Sequence, residues 1–184
     1  MTTQQLHLFN CMYLVVLVVV AFLTRATARR IAGALAGGFA SGVVALGTIA
    51  LGEEMGWWHL AISWELYFIT LLVIDFALSA FIYLITWRIA RRFGYHGLVA
   101  VVLIAAIIGP PRDYWILAKF PEWGAYRPGI TPIVVISATY AMVVALGHSV
   151  MRLIAGPDQG SRLARWPWET VDAHPFGFDQ PHRR

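Results

Sequence analysis

The chain has a single cysteine, Cys11, in 184 residues. It therefore forms no intramolecular disulfide, and it has no CxxC pair of the kind used for zinc or dithiol redox chemistry. Charge is scarce as well. Charged residues make up 13% of the chain against 59% hydrophobic ones, and mean hydropathy is +0.65. A soluble domain carries roughly a quarter charged residues, so these values fit a helical bundle embedded in lipid. Internal repeats, an inverted-repeat signature and a glycine-rich phosphate loop are all missing. The acidic side is thin, with 10 Asp and Glu against 14 Lys and Arg, a net charge of +4 and a pI near 9.6. A basic balance can mark nucleic-acid binding, but Arg25, Arg29, Arg30, Arg88, Arg91 and Arg92 flank apolar runs. Their placement reads as membrane topology, and no nucleic-acid partner is expected. Cys11, inside the first apolar run, reads as a small hydrophobe.

What the chain does have is five apolar runs, at about 8–24, 31–51, 60–87, 97–117 and 130–154. They predict an all-α integral membrane protein: a bundle of five transmembrane helices over 1–155, followed by a cytoplasmic tail over 156–184. A signal peptide is the competing reading of the first run. Ala26-Thr27-Ala28 resembles a cleavage site, but Met1 to His7 lacks a basic n-region, so the run is read as a helix. Gly33 and Gly37, and Gly38 and Gly42, stand four apart in the second run and predict a close helix-packing face. The fourth run meets Gly109-Pro110-Pro111 about a dozen residues after Gly97. That predicts a kink with continuation through Tyr114-Trp115-Ile116-Leu117, or a re-entrant segment.

Arginines set the expected orientation. Clusters after the first, third and fifth runs belong on the cytoplasmic side, which puts the N-terminus outside and the C-terminus inside. Trp57, Trp58, Trp64, Trp115 and Trp123 then gather at the outer boundary, and Trp87 and Tyr95 at the inner one. The expected location is a bacterial cytoplasmic membrane. In the tail, Trp166-Pro167-Trp168-Glu169 and His174-Pro175-Phe176 are the distinctive pieces and read as an extension or docking peptide.

The third run carries the most informative polar residue, Asp75, near its middle. At about 100° per residue, Glu65, Asp75, Ser79, Tyr83 and Thr86 fall within an arc of about 80°, a polar seam that should face other helices or a watery cavity. Ser137, Tyr140 and His148 on the fifth run are read as a matching face. Depth places Tyr140 against Asp75, with His148, roughly 9 Å further inward than its helix midpoint, near Ser79.

A second constellation, Glu53, Glu54 and His59 with Arg112 and Asp113, gathers at the outer interface. Its spacings match no metal motif, so no metal site is assigned. Glu53 and Glu54 are read as standing just before a helix, where its dipole favours negative charge. Between Gly109 and Gly129, Pro111 is read as the first position of a short interfacial helix, with Asp113 in its first turn and Trp115, Ile116 and Phe120 facing the membrane.

Three functions compete. The first is an accessory or self-associating subunit of a membrane complex, partnered by the bilayer, by copies of itself or by other membrane subunits. The second is a small proton-coupled or ion-handling transporter using Asp75, with Tyr140, His148 and Glu65 nearby. The third is an intramembrane enzyme acting on a lipophilic ligand through Glu53, Glu54 or Glu65. No nucleophile with a partnered base is apparent, no cofactor is indicated, and the subunit reading leads.

Overall fold

In an apolar stretch each backbone N–H and C=O must find its partner within the chain, and the helix does this locally. The computed structural model describes residues 3–60 and 64–156, with side chains for residue 8 and for 11–60 and 76–156. Over these residues the chain is mostly helical: α1 (Thr3–Leu23), α2 (Ala28–Glu54), α3 (Trp64–Phe93), α4 (Tyr95–Lys119) and α5 (Ile130–Ala155). Two short strands, β1 (Trp58–Leu60) and β2 (Gly124–Tyr126), complete it. Among the described residues, α2, α4 and α5 are each long and apolar enough to cross a membrane. The third helix, at 30 residues, reaches past Trp87 to Arg92 and Phe93, so its last turn carries the arginines expected in a connection. Residues 157–184, including Trp166, Pro167 and Trp168, lie outside the described residues.

The centre of the bundle is α2, which packs on α3 and α5 through its small residues. Gly33 and Gly37 face α5. A Cβ built on Gly33 would lie 2.9 Å from the Met151 carbonyl oxygen, and one on Gly37 would lie 2.4 Å from that of Gly147. Gly38, one residue and about 100° further round the helix, faces α3 instead, with the Phe76 carbonyl oxygen 2.6 Å from its Cβ position. Gly37 and Gly38 thus serve two different neighbours. Gly42 is buried on the same helix. Ala34, Ala80, Tyr83, Leu84, Trp87 and Met151 form the buried core around these approaches.

Three expectations meet the backbone here, and the second and third are corrected. First, α4 runs unbroken from Tyr95 to Lys119 with Pro110 and Pro111 inside it, the continuation through Tyr114 to Leu117 that is one of the two readings. The prolines remove the amide donors for the Ala106 and Ile107 carbonyls. The helix is held across this gap by packing, because Gly109 seats the Tyr140 ring where a Cβ would lie 2.1 Å from its Cδ2. Second, Pro111 and Asp113 therefore occupy the interior of α4 and start no new helix. Third, Glu53 and Glu54 are the last two residues of α2, not residues preceding a helix. There the dipole opposes their charge, and the His59 imidazole approaches Glu53, Nδ1 to Oε1, at 3.7 Å.

The strands are new relative to the sequence reading. After α4 a 3-10 turn, Pro121–Trp123, leads into β2, which pairs antiparallel with β1 in the register Trp58 to Tyr126, His59 to Ala125 and Leu60 to Gly124. Gly124 is required at its position, since φ is 150° and a Cβ would meet the His59 carbonyl oxygen at 2.3 Å. Trp58 anchors this ribbon to α2: its ring lies against Gly52, and its indole N–H donates to the Ile49 carbonyl at 3.0 Å.

Gly37→Val places a side chain against the α5 backbone, which cannot swing aside as a side chain tip would. Its thermal midpoint in detergent, followed by size-exclusion chromatography, should fall by several degrees or folded material should be lost. Gly47→Ala, where a Cβ meets nothing within 4 Å, should keep or slightly raise the midpoint, because alanine favours helix by about 0.5–1 kcal/mol. Equal midpoints for the two variants would contradict the packing described.

Candidate functional site

Two polar groupings are built by these helices. The first lies where α2, α3 and α5 meet. Gly37 and Gly147 leave room for the Tyr83 ring, and a Cβ on Gly147 would lie 2.0 Å from the Tyr83 Cζ. The ring is 1% exposed and its hydroxyl donates to the Val143 carbonyl at 2.8 Å. Ser41, one helical turn beyond Gly37, sends its hydroxyl to the same carbonyl at 3.1 Å and also contacts the Tyr83 hydroxyl. Two hydroxyl protons serve three close contacts, so one hydroxyl donates to the other while the second holds the carbonyl. Thr86, also buried, donates to the Ile82 carbonyl of its own helix at 2.8 Å. His148 is 1% exposed, with its ring centroid 6.2 Å from that of Trp87.

The second grouping joins α4 to α5. The Arg112 guanidinium donates to Asp113 Oδ1, from Nη2 at 2.8 Å and from Nε at 3.0 Å. The Tyr140 hydroxyl donates to Asp113 Oδ2 at 2.8 Å and accepts from Arg112 Nη2. The guanidinium also stands 5.4 Å from the Tyr140 ring centroid. Arg112, Asp113 and Tyr140 therefore close a ring of charge-assisted hydrogen bonds beside the proline pair. Further toward the strands, Tyr114 stacks on Tyr126 with centroids 4.4 Å apart, and Tyr126 meets Trp58 edge-on at 5.9 Å.

This changes the assignment of Tyr140. Its hydroxyl is held by α4, through Asp113 and Arg112, where the sequence reading places it against Asp75. Eight residues are about 80° on a helix, so Tyr140 and His148 point to different neighbours. The spacing that looked like one face spans two. Asp75 and Glu65 lie on α3, and their side chains are outside the described residues. Ser79 is half-buried. Glu54 and His59 are exposed, and Arg112 and Asp113 turn toward Tyr140, so the outer constellation divides into a Glu53–His59 pair and the ring on α4. Among the described residues no three His, Cys, Asp or Glu side chains converge.

Sequence reasoning overlooked Ser41 and Val143. Ser41 was detectable: it continues the Gly33 and Gly37 row by four, which puts it on the same face of α2. The Val143 carbonyl carries no sequence signal, since every residue has one.

Removing the Tyr83 hydroxyl as Tyr83→Phe should cost about 0.5–1.5 kcal/mol of stability, the usual range for one buried hydrogen bond. On α4 and α5, a double-mutant cycle between Asp113→Asn and Tyr140→Phe should show a coupling of about 0.5–3 kcal/mol, as for residues in direct contact. Reversible unfolding in mixed micelles measures both, and strictly additive losses would show that the ring does not act as a unit. Comparison of the chain with protein-family models, with curated proteins and with solved structures found no match.

Proposed function

We propose that the chain is a multi-pass membrane protein working as a subunit, assembling with copies of itself or with other membrane proteins. The observation that carries this reading is how the interior hydroxyls are used. The Tyr83 and Ser41 hydroxyls reach from α3 and α2 to the Val143 carbonyl of α5 and touch each other, while Thr86 bonds within α3. The contacts of Tyr83 and Ser41 join three helices, as interhelical polar bonds in bundles do. Arg112, Asp113 and Tyr140 are likewise engaged with one another, which suits a fixed corner better than a group that must exchange protons.

The exposed faces support membrane residence. Val15, Val18 and Phe22 on α1, Ile104, Ile107 and Ile108 on α4, and Val134 and Leu153 on α5 are all open in the isolated chain. So much outward apolar surface on helices of this length fits lipid or neighbouring subunits.

Native mass spectrometry of the full chain, released gently from membranes, tests the reading. A fixed oligomer or a copurifying membrane protein is the expected result. A monomer accompanied by proton flux in liposomes that disappears in Asp75→Asn, with folding unchanged, would overturn it in favour of transport.

A further inference from the structure

The end of the bundle opposite the strands holds a concave, strongly basic surface that the helix junction does not use. Arg25, Arg30, Arg88, Arg91 and Arg92 line a cavity of about 720 Å³ together with Trp87. That volume falls in the range of ligand clefts, roughly 300–1,000 Å³. The carboxylates with described side chains are Glu53, Glu54, Asp113 and Glu122. Glu54 closes the 27-residue α2 whose first turn lines the cavity, so the length of that helix, about 40 Å, separates them. Five guanidinium groups thus share one hollow with no described carboxylate beside them.

The local structure adds to this concentration of positive charge. Arg30 sits in the first turn of α2, which holds no acidic residue, so its charge adds to the positive end of the helix dipole. Arg25 has φ of 47°, a left-handed backbone conformation that side chains other than glycine adopt rarely. Trp87 is 4% exposed and lies beneath the Arg30 guanidinium, which is 6.0 Å from its ring centroid. That stacking holds one guanidinium in place before any ligand arrives. Arg91 and Arg92 are favoured by the dipole at the end of α3, and positive charge on one side of a membrane bundle is ordinary. Neither effect accounts for a hollow with arginines around a buried indole.

We propose that this cavity binds a phosphate-bearing anion, supplied as the headgroup of an anionic phospholipid or as a soluble phosphate. Planar guanidinium forks match phosphate oxygens in pairs, and the indole suits the headgroup level of a bilayer. A basic pocket between helices at this depth is the kind of site that takes an anionic headgroup.

The test uses the full purified chain in mild detergent. Native mass spectrometry follows retention of phosphatidylglycerol against phosphatidylcholine, and calorimetry follows inorganic phosphate. Retention of phosphatidylglycerol should exceed that of phosphatidylcholine by about tenfold, should be lost in R30Q/R91Q/R92Q, and should persist at a reduced level in R30K/R91K/R92K. Saturable phosphate binding with the same pattern among the variants, and no preference between lipids, would assign the site to a soluble phosphate. The exposed pair R88Q/R91Q, with an unchanged thermal midpoint, should still weaken binding several-fold and serves if the triple variant does not fold. Equal retention of both lipids without phosphate binding, or binding that survives the glutamine variants, overturns the proposal.

Discussion

The antiparallel crossing of α2 and α5 organises the rest of the bundle, and it depends on backbone meeting backbone. Gly33 faces the Met151 carbonyl, Gly37 faces that of Gly147, and the Ser41 hydroxyl stands 3.1 Å from that of Val143, each step four residues along both helices. At the glycines the Cα hydrogens stand where side chains would be, a geometry suited to weak Cα–H···O contacts. Such contacts are individually small, but they let the helix axes come close enough for dispersion to act over the whole crossing. The Tyr83 ring then fills the one gap the glycines leave and brings α3 into the junction. Its hydroxyl would be costly in an apolar interior, and the Val143 carbonyl offsets that cost.

Around this junction the helices are fastened to one another at further points. On the arginine side, Arg29 Nε donates to the Ile154 carbonyl at 2.7 Å, tying the start of α2 to the end of α5 and satisfying a carbonyl that the helix leaves open. On the other side, the Arg112, Asp113 and Tyr140 ring binds α4 to α5, and the β1 and β2 ribbon links the end of α2 to the segment after α4. The Arg127 amide extends that link by donating to the Trp57 carbonyl at 2.8 Å. Among the described residues, the polar contacts between elements therefore fall at the central junction, at the ring on α4 and α5, and at the two ends of α2.

Charge is divided along the same axis. Arg25, Arg30, Arg88, Arg91 and Arg92 gather at one end, and the carboxylates with described side chains lie toward the other together with Arg112 and Arg127. The two ends consequently offer different chemistry. One end presents a basic hollow, and at the other Arg112 pairs with Asp113 and His59 approaches Glu53.

How far this could be read in advance varies with the element. The apolar runs and flanking arginines indicate five helices, and the four-residue glycine spacing marks α2 as a packing helix. Both signals are local, because burial pattern and charge are written directly in residue type. The three-residue strands escaped notice, since so short a segment has no alternation to detect. Pro110 and Pro111 leave a continuing helix and a re-entrant segment both open, because the outcome depends on whether neighbours hold the segment, and Tyr140 against Gly109 does so. The same limit applies to partners. Periodicity tells which side chains share a face, but about 80° between Tyr140 and His148 was enough to send them to different helices. Thus residue type alone determined the helical, apolar character of the chain and the segregation of its charge. Only the tertiary structure decided that Tyr140 meets Asp113, that Gly38 turns to α3 while Gly37 turns to α5, and that five arginines surround one hollow, because those outcomes depend on how the helices rotate and cross.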